Sequence, residues 1–182
     1  MTRSLKVAVL TDRPDTDIVR FCGVADVLVT LGDLYPSDVP EVAIPHVYVY
    51  GNHDSPSSPF APAPNRHHAH LQVVEVGGVR FGGYQGSHRY KPKGHYLYDD
   101  EQAAAELEAF PAVDVFLSHA TPTCLETAGD EVHRGTAAFD DYLRRTRPAY
   151  ALSGHVHARR VARLGDTVCM SFFRAALIEL RL

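Results

Sequence analysis

Residues 47–54 read VYVYGNHD, four apolar residues that fit a buried strand and then stop at Gly-Asn-His-Asp. The break leaves an amide, an imidazole and a carboxylate at one strand tip, all able to bind a metal or move a proton. The arrangement recurs along the chain. LKVAVLTD (5–12) runs into Asp12, DVLVTLGD (26–33) into Asp33, VDVFLSHA (113–120) into His119, and YALSGHVH (150–157) into His155 and His157. The runs are nearly continuous in Val, Leu and Tyr, as in strands buried on both faces.

Helical spacing separates some of these runs. Residues 99–110 place Ala103, Leu107 and Phe110 on one face, behind Asp99 or Asp100 as N-cap. Residues 136–147 group Phe139, Tyr142, Leu143 and Thr146 ahead of Pro148, and a shorter helix is expected at 15–22. Segments 70–86 and 159–173 read as hairpins with glycine-containing turns. The proline-rich stretch 55–64 reads as a surface loop, because strand pattern resumes directly after it. Residues 1–182 are therefore expected to form one domain. Strands alternating with helices, with hairpins interposed, predict an α/β sandwich on mixed sheets. Ligands of such folds bind beyond the carboxyl ends of the strands, so the five polar tips converge.

Composition narrows the function. A chain of 182 residues that is 45% hydrophobic and 22% charged suits a soluble globular domain with a sizeable core. No apolar stretch approaches membrane-spanning length, and a first strand near Leu5 leaves no room for a signal peptide. Cys22, Cys124 and Cys169 show no CxxC spacing, which argues against a disulfide framework and predicts a reducing, cytoplasmic setting. A net charge of −4 argues against long nucleic acid as partner. It leaves room for a small phosphorylated substrate, since a bound divalent cation supplies positive charge locally.

Collected, the tips are Asp12, Asp33, Asn52, His53, His119, His155 and His157. Carboxylate oxygens, an amide oxygen and imidazoles without thiolates suit a borderline divalent metal, Mn, Fe, Co, Ni or Zn, and argue against a structural zinc site. Gly32, Gly51 and Gly154 stand where a chain leaving a strand must turn sharply.

The series Asp12, GD at 32–33, GNHD at 51–54, SHATP at 118–122 and GHVH at 154–157 resembles the calcineurin-like metallophosphoesterases, over nearly the whole chain. GVRFGGYQGSHRY (78–90) and HRG (133–135) are similar to small bacterial members. The resemblance implies a four-layer α/β/β/α sandwich, two mixed β-sheets flanked by helices, carrying two divalent metal ions, Mn foremost. It implies that Asp33 bridges them, with Asp12 and His157 on one metal and Asn52, His119 and His155 on the other. His53 is implied as the catalytic residue that assists the leaving group, and a small phosphodiester, such as a cyclic nucleotide, as substrate.

Two positions depart from the family pattern. Its first motif is Asp-x-His, whereas this chain has Asp12-Arg13-Pro14, so the first metal loses an imidazole. Asp15, Asp17 or a water fills the place, or that site loads weakly; an oxygen substitute tilts it toward Mn²⁺. The aspartate that orients the family's catalytic histidine is Pro36 here, leaving Asp38 or Asp54 to hold His53, or leaving His53 less firmly held. Arg89, Tyr90 and His133 are candidate substrate contacts, and Arg159 and Arg160 are candidates for the pocket border. His67, His68 and His70 are expected in solvent after the proline loop. The competing readings are a metal-impaired scaffold that binds a protein partner, favoured by Pro14, and a nuclease, which needs a basic groove.

Overall fold

The computed structural model describes residues 3–127 and 130–182. Numbered along the chain, its strands are β1 (Ser4–Leu10), β2 (Val27–Thr30), β3 (His46–Tyr48), β4 (Arg66–His68), β5 (Val74–Val76), β6 (Val79–Tyr84), β7 (Ser87–His88), β8 (Leu97–Tyr98), β9 (Val115–Ser118), β10 (Tyr150–Ser153), β11 (Arg160–Leu164), β12 (Thr167–Ser171) and β13 (Ala176–Arg181). The helices are α1 (Asp17–Cys22), α2 (Asp100–Glu108) and α3 (Ala137–Thr146).

β7 and β8 pair with each other in a small parallel ribbon, and the other eleven strands form two mixed sheets. One runs β13-β1-β2-β3-β4, parallel throughout except for β13; the other runs β11-β12-β10-β9-β6-β5, with antiparallel pairs only at its two ends. Alternation along each strand sorts side chains onto two faces. Val7 and Val9 of β1 and Val27 and Val29 of β2 pack inward against Phe81, Val115, Leu117 and Leu152 of the second sheet. Ala8, Leu10 and Leu28 point outward instead and are covered by Ile18 and Cys22 of α1. On the far side, Phe116, Ala151 and Cys169 are covered by Ala103 and Leu107 of α2 and by Phe139, Tyr142 and Leu143 of α3. The result is a four-layer α/β/β/α sandwich, in which each fully buried aliphatic or phenyl side chain contributes roughly 1.5–3 kcal/mol.

The helices keep the expected faces with trimmed ends. α3 stops at Thr146, where Arg147 adopts a left-handed conformation (φ 51°) and Pro148 bars another turn. Asp99 is the N-cap residue of α2, but its carboxylate accepts from Arg89 rather than capping the helix. Gly77 and Gly78 both have positive φ (58° and 74°), the requirement of the two-residue turn that joins β5 to β6.

The His-rich segment after the proline loop departs from expectation. Residues 66–68 form the edge strand β4 against β3, and His67, His68 and His70 are half-buried rather than in solvent. His68 stacks on Tyr48 (ring centroids 4.9 Å apart) and pairs with Gln85, while His70 packs edge-on against Tyr84. Aromatic neighbours supplied by β3 and β6 shelter these imidazoles. His88 is buried and His95 exposed.

Candidate metal centre

Five parallel strands end at one place. β1, β2 and β3 deliver Asp12, Asp33 and Asn52 from the first sheet; β9 and β10 deliver His119 and His155 from the second. Bonds across the sheets hold the tips together. His119 Nδ1 lies 2.7 Å from the Leu31 carbonyl, and the His155 amide donates to Asp12 Oδ1 at 3.1 Å. Gly154 N donates to His119 O, which joins the last two tips.

The backbone at the tips is strained. Asp12, Asp33, His155 and His157 all have positive φ (63°, 56°, 68° and 47°). Each such conformation costs a non-glycine residue about 1–2 kcal/mol and persists only where the surroundings enforce it. Two glycines make the room. A Cβ on Gly51 would lie 2.1 Å from Asp33 Oδ1, and one on Gly154 would lie 2.2 Å from Thr11 Oγ1 and 3.0 Å from Asp12 Oδ2. Asp33 and Asp12 occupy the space that any other side chain would need.

Asp54 does a different job from the one considered for it. Its carboxylate accepts from the amides of Asp33 (3.0 Å), Leu34 (2.9 Å) and Gly51 (2.7 Å), so it clamps the turns after β2 and β3 to each other. Asp38 accepts from Tyr35 N in its own turn. Both carboxylates serve backbone amides, and the His53 side chain is exposed with its amide donating to Asp33 Oδ1 at 2.8 Å.

Ligand atoms of Asp12, Asp33 and His119 lie within 4.8 Å of one another. His119 Nε2 is 3.4 Å from Asp33 Oδ2, and His157 Nε2 is 3.4 Å from Asp12 Oδ1, with the Asp12 side chain fully buried and His157 51% exposed. His155 stands behind them with its ring 4.9 Å from His119 and its Nε2 2.8 Å from the Val132 carbonyl, so Nδ1 is its free nitrogen. Asn52 donates through Nδ2 to the Tyr90 hydroxyl at 3.1 Å. His133 packs on both His155 (4.8 Å) and His157 (5.7 Å) and pairs with Asp130. The structure thus gathers Asp12, Asp33, Asn52, His119, His155, His157, Tyr90 and His133. Arg89 is turned to β8, bonded to Asp99 and the Leu97 carbonyl; Arg159 and Arg160 donate to carbonyls of Ala175 and Glu126.

The electrostatics are those of a cation site. Burial opposes charge on His119, but the facing Asp33 and Asp12 carboxylates override it and raise its pKa to about 9. Burial likewise opposes ionisation of Asp33, and the His119 imidazole with the His53 amide holds its carboxyl well below the usual range. Asp12 is raised, chiefly by burial, and His155 is pushed down to about 3 by burial and by neighbouring His119. Of the eight buried side-chain atoms without a hydrogen-bond partner among the described residues, two lie at this centre, Asn52 Oδ1 and His119 Nε2. Orphaned buried polar atoms are rare without a ligand to satisfy them. With Nδ1–H given to Leu31, the proton that Asp33 and Asp12 favour on His119 sits on Nε2, the position a metal would take in its place, with the other nitrogen already tied down. The donor set fits a divalent metal.

The calcineurin-like phosphoesterase family profile matches residues 16–159. The chain belongs to that family. Membership implies metal-dependent hydrolysis of phosphoric esters, and the match starts just beyond the departing Asp12-Arg13-Pro14 stretch. Among solved structures, TT1561 of Thermus thermophilus is 15% identical over 94% of this chain and 90% of its own, with TM-score 0.65. The phosphopantetheinyl hydrolase PptH of Mycobacterium tuberculosis is 14% identical over 93% and 89%, with TM-score 0.55. GAP50, the anchor in the inner membrane complex of Plasmodium, is 14% identical over 92% and 71%, with TM-score 0.56. At these identities the likeness concerns the fold. No curated protein sequence matches the chain. Among the described residues, no helix of this phosphoesterase is long and apolar enough to cross a membrane.

Proposed function

We propose that this phosphoesterase cleaves small phosphodiesters at a dinuclear centre, with manganese as the preferred metal and the cytoplasm as its setting. The observation that carries the reading is the buried His119 Nε2, held by the Leu31 carbonyl to face Asp33 Oδ2 at 3.4 Å without a hydrogen bond, beside the Asp12 carboxylate. Asp33 would hold both metals, with Asp12 and His157 on one side and Asn52, His119 and His155 on the other. Divalent cations bound there would supply Lewis acidity and activate a water. The chain's own groups do the rest. Asp54 fixes the Asp33 and Gly51 turns, Tyr90 orients Asn52, and Val132 orients His155. His53, exposed at the rim with its amide on Asp33, delivers a proton to the leaving oxygen. An exposed His53 and a half-exposed His157 describe an open site, which admits both arms of a diester.

The test is hydrolysis of bis(p-nitrophenyl) phosphate against p-nitrophenyl phosphate, with Mn²⁺ and with chelator. Chelator-sensitive cleavage that favours the diester is expected; a preference for the monoester would overturn the substrate class.

Pro14 favours one second reading, a scaffold with an impaired centre; GAP50, named as an anchor, shares this fold. That reading predicts no metal and no turnover. A nuclease reading predicts binding to long nucleic acid that falls steeply with salt, against the net charge of −4.

A further inference from the structure

The Thr11 carbonyl accepts two backbone amides, from Arg13 at 2.7 Å and from Arg174 at 3.1 Å. Sharing one acceptor brings the two arginines together at the lip of Asp12. Both are exposed, and among the described residues neither guanidinium has a hydrogen bond or a carboxylate within 4 Å. Elsewhere the arginines are mostly engaged: Arg20, Arg80, Arg89, Arg134 and Arg181 each pair with a carboxylate.

The segment that carries Arg174 is built to hold still. Arg174 has φ 63°, a strained conformation for a non-glycine residue. Arg159 clamps the turn from the other side, donating to the carbonyls of Phe173 and Ala175. The Arg174 guanidinium lies over the Phe173 ring, 5.6 Å from its centroid, and that ring packs 5.3 Å from His157. A guanidinium laid on an aromatic face keeps its N–H edges free for an oxyanion, and Arg matches phosphate oxygens two at a time. Two uncompensated cationic side chains rooted on one carbonyl gain from an anion bound between them.

We propose that Arg13 and Arg174 form an anion subsite beside the metal centre, which takes a second phosphate carried on one arm of the substrate. The inference rests on the phosphoesterase reading and narrows it to phosphodiesters that bear a further phosphomonoester. It also gives the Asp12-Arg13-Pro14 stretch a use: where the family has an imidazole two residues after the aspartate, this chain has a cation one residue after it.

The experiment is calorimetric binding of thymidine 3′,5′-bisphosphate and thymidine 5′-monophosphate, with and without Mn²⁺. The wild type is expected to bind the bisphosphate about tenfold more tightly, the scale of one added charged hydrogen-bonding pair. Arg13→Gln and Arg174→Gln each reduce that advantage, the double variant abolishes it, Arg174→Lys retains part of it, and Arg20→Gln on α1 retains it all. Equal binding of both ligands by the wild type, or an advantage that persists in the double variant, overturns the subsite. An advantage that behaves as expected, in a protein that hydrolyses no ester, supports the subsite and sinks the phosphoesterase reading instead.

Discussion

Gly51→Ala tests how the centre is built, because the added methyl has nowhere to go. Its carbon would sit 2.1 Å from Asp33 Oδ1, 2.6 Å from Asp33 N and 2.8 Å from Asp33 Cγ. Since Cβ contacts below 3.0 Å essentially do not occur, the carboxylate must retreat by about 0.9 Å. It cannot do so freely. Asp33 Oδ1 holds the His53 amide at 2.8 Å, and Asp33 N and Gly51 N are both tied to Asp54. Overpacking of this kind costs about 1–3 kcal/mol, and for a chain of this length each kcal/mol lowers Tm by about 2–4 °C. A metal ligand displaced by that distance is expected to weaken Mn²⁺ binding by at least the 10–100-fold seen when supporting contacts are lost. Thermal unfolding in chelator measures the first effect and calorimetric Mn²⁺ titration the second. Two comparisons sharpen the result. Gly154→Ala meets a hydroxyl, Thr11 Oγ1, at 2.2 Å, which can rotate away, so it should be milder; Gly165→Ala meets nothing within 4 Å and suffers only its positive φ. Wild-type Mn²⁺ affinity in Gly51→Ala would refute the placement of Asp33 as a ligand.

Three further outcomes are expected. His155→Ala should lower both bound metal and turnover, whereas His53→Ala should lower turnover at least tenfold and keep the metal; equal metal loss in both would end the division of roles. Pro14→His should raise occupancy of the Asp12 side in a metal titration, and unchanged stoichiometry and affinity would mean another group already completes it. His46 is buried with its pKa pushed down to about 3 by burial, then by Arg66 and His67, while the unfolded value is near 6.5. The unfolded chain therefore binds the extra proton between those limits, so this stabilisation is full above pH 6.5 and falls by about 1.4 kcal/mol per pH unit on acidification. Urea midpoints should drop more steeply from pH 7 to pH 5 in the wild type than in His46→Gln, and parallel curves would contradict the assignment.

The site was more legible than its supports. Strand tips ending in Asp, Asn or His are local patterns, and the carboxyl-end rule brings them together without coordinates. The layering followed from the same runs, since Val7 and Val9 on one face and Ala8 and Leu10 on the other each found a separate core. β4 escaped because Arg66, His67 and His68 show no apolar alternation; β3 and a roof of tyrosines make it a strand. β13 went unassigned, and only its antiparallel register with β1 reveals Ala176 and Leu180 as inward positions. Arg89, Arg159 and Arg160 looked available because their partners are remote carbonyls and a carboxylate ten residues away. Asp54 was misplaced for a related reason. Its neighbours in sequence suggested His53, but three amides from two separate turns claim it.

The most direct test of the account is anomalous diffraction at the manganese edge from crystals soaked in Mn²⁺. Two peaks about 3.5–4 Å apart are predicted, with Asp33 between them, Asp12 and His157 on one, and Asn52, His119 and His155 on the other. Manganese bound elsewhere, or none at Asp33, would contradict it.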